Sequence, residues 1–193
     1  KATETKLKGV FVLEPQVFGD ARGWFMESWS KRKMEAAGIA VDFVQDNQSY
    51  SAQKGTLRGL HFQSPPHAQG KLVRCGRGRL FDVAVDIRKG SPTFGKHVAV
   101  ELTENNHRQF FIPRGFAHGF SVLSDIAVFQ YKCDNFYHPE SEGALAWDDP
   151  DINIDWKIPE EKVVLSPKDK AHPTLKVAED LFDYSVDLYK QER

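Results

Sequence analysis

From residue 10 to residue 132 the chain repeats one pattern: a short apolar or aromatic run, then a cluster of Gly, Pro, Asn or Asp. Runs begin at Val10, Val12 and Leu13, and continue over residues 23–29, 57–63, 70–75, 79–87, 96–102, 109–112, 118–122 and 126–132. Between them lie Gly19-Asp20, Ser64-Pro65-Pro66, Gly76-Arg77-Gly78, Gly90-Ser91-Pro92, Asn105-Asn106 and Pro113-Arg114-Gly115. Short strands at this spacing predict an all-β sandwich or barrel. A parallel α/β fold would need a helix after each strand, and the chain lacks them. Only two short helices are expected. One is capped by Ser30 and stopped by Gly38, and the other runs over residues 178–189 with Leu181, Phe182, Val186 and Leu188.

Hydrophobic residues make up 40% of the 193, enough for one domain over residues 1–193 with a real core. Lys+Arg 26 against Asp+Glu 27 gives a formal net charge of -1, so no basic excess points to nucleic acid. No apolar run is long enough for a membrane span, and residues 1–8 lack an apolar signal region. Cys75 and Cys133 have no metal-type spacing and are expected to be free and buried, as in a cytoplasmic protein.

In the run over 79–87, Phe81, Val83, Val85 and Ile87 face one way while Asp82, Ala84 and Asp86 face the other. The second face either lines a barrel mouth or meets water. The densest chemical cluster is Leu57-Arg58-Gly59-Leu60-His61-Phe62-Gln63. In a regular strand Arg58 and His61 point to opposite faces, but a bulge at Gly59 would bring them together. Lys71 shares a face with apolar Val73 and Cys75, so it needs an anionic partner or a place at a sheet edge.

Pro113-Arg114-Gly115-Phe116-Ala117-His118 resembles the second motif of the cupin superfamily. Metal-binding cupins add an earlier His-x-His. Here only His61 stands there, followed by Phe62 and Gln63, and two ligands fall short of the usual three. Tyr131 on a strand and Tyr137 in a turn complete the set of candidate residues.

Taken in order, these segments resemble the dTDP-4-dehydrorhamnose 3,5-epimerase family. The matching blocks include Asp20-Ala21-Arg22-Gly23-Trp24-Phe25, the His61 cluster and Gly70-Lys71-Leu72-Val73. Ser91-Pro92-Thr93-Phe94-Gly95, the His118 turn, Tyr137-His138-Pro139-Glu140-Ser141-Glu142 and Trp147-Asp148-Asp149-Pro150 follow. The resemblance implies a cupin-like jelly roll with a few peripheral helices, a homodimer, no metal and no organic cofactor. Its implied substrate is a dTDP-4-keto-6-deoxy-sugar, epimerised at C3 and C5. By position His61 corresponds to the base, Asp169 to its orienting carboxylate, Tyr131 to the proton donor and Lys71 to the enolate stabiliser. Arg22, Glu27, Gln45, Asn47, Arg58, His118, Tyr137, Glu142 and Lys168 correspond to substrate contacts. The alternatives are an epimerase of one carbon only and a non-catalytic nucleotide-sugar binder.

Overall fold

The structure is a computed structural model that describes residues 1–190. Its strands are β1 (Ala2–Glu4), β2 (Phe11–Leu13), β3 (Val17–Asp20), β4 (Gly23–Met26), β5 (Gln45–Ser51), β6 (Leu57–Gln63), β7 (Lys71–Arg77) and β8 (Arg79–Asp86). They continue as β9 (Arg88–Lys89), β10 (His97–Thr103), β11 (Gln109–Ile112), β12 (Phe116–Val122), β13 (Ala127–Cys133), β14 (Glu142–Ala144) and β15 (Phe182–Asp183). Two antiparallel sheets form a jelly-roll sandwich, in the orders β1-β2-β11-β7-β13-β5 and β10-β8-β12-β6-β14. The expected runs over 57–63 and 109–112 coincide with β6 and β11.

Between the sheets, Val73, Phe110, Ile112 and Phe129 from one meet Leu80, Leu102, Phe120 and Val122 from the other. Fully burying side chains of this size contributes about 1.5–3 kcal/mol each. A second apolar cluster covers the outer face of the five-stranded sheet. There Val83, Val85 and Ile87 pack against Leu145, Ile152, Trp156, Leu175, Phe182 and Leu188 from the C-terminal third. That sheet is therefore apolar on both faces, and every residue of β12 is buried.

The two expected helices had different outcomes. Helix α1 (Lys31–Ala36) starts after Ser30 and stops before Gly38, which takes φ 89°. The Ser30 side chain makes no capping hydrogen bond. Residues 178–189 form no helix. Asp183 and Asp187 turn back to accept the backbone N–H of Ser185 and Tyr189, and Asp180 sits at φ 54°. Such local Asp turns compete with helical hydrogen bonds. Phe182 instead enters β15, which pairs in parallel with β9, and Leu188 docks in the second cluster.

Neither Asp82 nor Asp86 faces water; both are fully buried. Asp86 accepts hydrogen bonds from Arg88, Ser91 and Thr93 and ties the β8–β9 corner together. Asp82 points towards the sandwich interior, where its Oδ1 lies 2.8 Å from His118 Nε2. Cys75 and Cys133 are free and buried. Among the described residues no helix is long and apolar enough to cross a membrane.

Candidate active site

One mouth of the sandwich opens as a cavity of about 430 Å³ lined by Arg58, His61, Lys71, His118, Tyr131, Lys168 and Asp169. His61 and Arg58 come from β6 and His118 from β12, on the five-stranded sheet. Lys71 and Tyr131 come from β7 and β13, on the six-stranded sheet. The cavity is thus walled by both sheets, with His61 and Tyr131 on different walls.

Gly59 is what lets Arg58 and His61 share it. Opposite β12, His61 pairs with His118 but Arg58 pairs with Phe120, so β6 holds one residue more than its partner. This bulge rotates the strand by one position, as the sequence anticipated. Gly59 takes φ 138°, and a Cβ there would lie 2.5 Å from Gly119 Cα. Gly59→Ala is expected to destabilise the fold by about 1–3 kcal/mol through backbone strain alone. It should also misalign Arg58 and His61. Thermal denaturation and turnover would both fall. An unchanged melting temperature would mean that the bulge accepts a side chain.

His61 Nε2 lies 2.7 Å from Asp169 Oδ1, across 108 residues of sequence. Burial pushes the Asp169 carboxyl up in pKa, but hydrogen bonds from His61, Ser166 and His172 outweigh it and hold the group below its usual value. An ionised carboxylate only accepts, so His61 in its neutral form carries its proton on Nε2 and leaves a lone pair on Nδ1. Asp169 sits in an irregular turn, not on a strand. Asp149 pins the segment beyond it, accepting the backbone N–H of Leu175, while Ala146 N–H donates to the Pro173 carbonyl.

Lys71 Nζ stands 5.6 Å from the centre of the Tyr131 ring. Burial lowers the Lys71 pKa, against the pull of Cys133, Asp82 and Glu142. Burial raises the pKa of the Tyr131 hydroxyl, with Asn47 pulling the other way, so it holds its proton. Burial also lowers the His118 pKa against its Asp82 partner. The wall opposite His61 therefore offers an amine beside a phenol that holds its proton.

The remaining candidates divide into two groups. Tyr137, Glu142 and Lys168 meet at the rim: the Tyr137 hydroxyl lies 3.4 Å from Glu142 Oε2, which also accepts from Lys168 Nζ. Gln45 holds the same loop by accepting the Tyr137 N–H, and its amide donates to Asn47 Oδ1. Arg22 and Glu27 are not brought to the cavity. Arg22 is exposed on the β3–β4 hairpin and paired with Asp20, and Glu27 pairs with Lys33. That hairpin also exposes Phe18 (56%), Trp24 (59%) and Phe25 (69%).

Among the described residues, two groups could hold a metal ion: His61, Asp169 and His172, and separately His67, His138 and Glu140. In the second the imidazoles stack 3.6 Å apart and nearly parallel, so their in-plane lone pairs do not converge. In the first, His172 Nε2 lies 3.2 Å from the same Asp169 Oδ1 that His61 meets. Sequence reasoning missed His172. Its only signal was the three-residue spacing from Asp169.

Comparison with known proteins gives a consistent picture. The family model described as dTDP-4-dehydrorhamnose 3,5-epimerase matches residues 4–177. A dTDP-4-dehydrorhamnose 3,5-epimerase of Shigella flexneri is 57% identical over 167 residues, covering 86% of this chain and 91% of that protein. The crystal structure of a 3,5-epimerase from Legionella pneumophila, in complex with dTDP-4-keto-L-rhamnose, is 52% identical with a TM-score of 0.91. That match covers 96% of this chain and 99% of the other. A 3,5-epimerase structure from Elizabethkingia anophelis is 54% identical with a TM-score of 0.87, covering 91% and 96%.

Proposed function

Since this chain belongs to the dTDP-4-dehydrorhamnose 3,5-epimerase family, we propose that it inverts C3 and C5 of dTDP-4-keto-6-deoxy-D-glucose through an enolate, as an isomerase of dTDP-L-rhamnose synthesis. The observation that carries this reading is the His61–Asp169 pair facing a cavity whose other wall bears Lys71 and Tyr131.

The chemistry follows from the groups. Hydrogens on the two carbons beside a ketone are acidic because their loss gives an enolate. His61 Nδ1 removes one of them, and imidazole is the side chain most often used as a general base. Asp169 fixes the tautomer and stabilises the imidazolium that results. The Lys71 ammonium meets the charge that develops on the ketone oxygen. In a dry site such a contact is commonly a large catalytic contribution. Tyr131 then gives its proton to the opposite face of the carbon, and the configuration inverts. One proton is taken and one returned, so no redox partner is needed.

Arg58 holds the diphosphate, Tyr137 stacks on the thymine, and His118, Gln45, Asn47, Glu142 and Lys168 contact the sugar or nucleotide. These anchors bind the inert end of the substrate and hold the reacting carbons between the two walls. The exposed apolar β3–β4 hairpin supports a homodimer in which Arg22 and Glu27 reach the cavity of a second copy. Two buried free thiols suit a cytoplasmic setting.

The test is incubation with dTDP-4-keto-6-deoxy-D-glucose in D₂O, followed by NMR. Deuterium is expected at both C3 and C5. Deuterium at one carbon would instead make this an epimerase of a single centre, and tight dTDP binding with no exchange would make it a binder.

A further inference from the structure

We infer that His61, Asp169 and His172 form an inhibitory site for a borderline divalent cation such as Zn²⁺, whose binding switches off the base; this rests on His61 being the base as read above. Two imidazole nitrogens converge on one carboxylate oxygen here. His61 Nε2 is 2.7 Å and His172 Nε2 is 3.2 Å from Asp169 Oδ1, with the rings at 90° to each other. One ligand atom from each of the three residues lies within 4.8 Å of the others, and the two rings are perpendicular where those of His67 and His138 are stacked.

Two nitrogens and one oxygen suit zinc and its neighbours better than magnesium or calcium, which favour oxygen alone. Metal bonds of about 2.1 Å at tetrahedral to right angles put ligand atoms about 3.0–3.4 Å apart. The His172–Asp169 separation already falls in that range, the His61–Asp169 contact must open by a few tenths of an ångström, and the two imidazole nitrogens lie within 4.8 Å of each other. Ser166 Oγ donates to the other oxygen of Asp169 and leaves Oδ1 to the histidines. A cation on these three ligands would keep a fourth side for water.

Inhibition follows from the tautomer. A neutral imidazole bound to metal through Nε2 must carry its proton on Nδ1. The substrate-facing atom then becomes a donor and cannot remove a proton from carbon. Neither neutral histidine gains or loses a proton overall; each only moves it from Nε2 to Nδ1. His172 is the residue that decides whether the site exists, because without it two ligands remain.

The experiment titrates the intact protein with ZnCl₂ by calorimetry and with CoCl₂ by visible absorption, beside turnover at each metal concentration. His172→Gln keeps a donor for Asp169 but removes an imidazole. His172→Ala serves as a second variant, and His67→Ala controls for the stacked pair. Loss of an outer-shell partner alone typically costs about 10–100-fold in metal affinity, so both His172 variants should bind at least about tenfold more weakly. His67→Ala should bind like the parent, and turnover should fall in step with occupancy. No saturable uptake, or uptake lost in His67→Ala but kept in the His172 variants, overturns the site. If that happens while His61→Asn lacks turnover, the assignment of the base stands. Uptake governed by His172 with turnover intact would instead overturn the inhibition and the assignment of His61 as base together.

Discussion

His61→Asn is expected to lower turnover by a factor of about 10³ or more, on the scale of losing a positioned general base. Asn is polar and fits within the space of the imidazole, and Asp169 keeps Ser166 and His172 as hydrogen-bond partners, so the buried carboxylate is not orphaned and the fold survives. What it lacks is a basic lone pair where Nδ1 stands. The loss should therefore fall on turnover, with dTDP affinity nearly unchanged, because the nucleotide is held by other groups. Steady-state kinetics and calorimetry on the same preparation separate the two. Near-normal turnover in a folded His61→Asn protein would remove His61 from the chemistry.

Tyr131→Phe should leave a different signature. The ring still fills its place against Phe129 and beside Lys71, so packing changes little. Only the phenolic proton is gone. Abstraction by His61 continues, and the enolate can return the same proton or take one from solvent on the His61 side. In D₂O this variant should exchange hydrogen at carbon while net inversion falls by about 10²–10⁴-fold, the usual range for losing a general acid. Parallel loss of exchange and inversion would show that Tyr131 acts before the enolate forms. Unaltered product formation would remove it as the acid.

The sequence exposed the fold unevenly, for physical reasons. Strands with an apolar face, such as β6 and β11, were readable to the residue because burial enforces a pattern. β5 was not: its sequence, Gln45-Asp46-Asn47-Gln48-Ser49-Tyr50-Ser51, carries no apolar alternation. It pairs only with β13 at a sheet edge, so its residues are chosen for polar contacts rather than for core packing. The bulge was legible because a glycine inside a strand weakens it, and so marks a place where the backbone must kink or meet another backbone closely. The C-terminal segment misled, since Leu181, Phe182, Val186 and Leu188 resemble a helical face until the intervening aspartates are given their turn-forming weight. The partnership of His61 with Asp169 was reachable only through resemblance. No local pattern announces a contact across 108 residues.

That distance also sets an order of events. A ribosome delivers both sheets of the sandwich before it delivers residues 166–175, so the cavity can take shape around a histidine that has no carboxylate behind it. Competence comes afterwards, when the irregular segment docks through Leu175 and Pro173. The same segment buries Leu175 against the five-stranded sheet, so the step that closes the outer core of the barrel is also the step that gives the histidine its carboxylate.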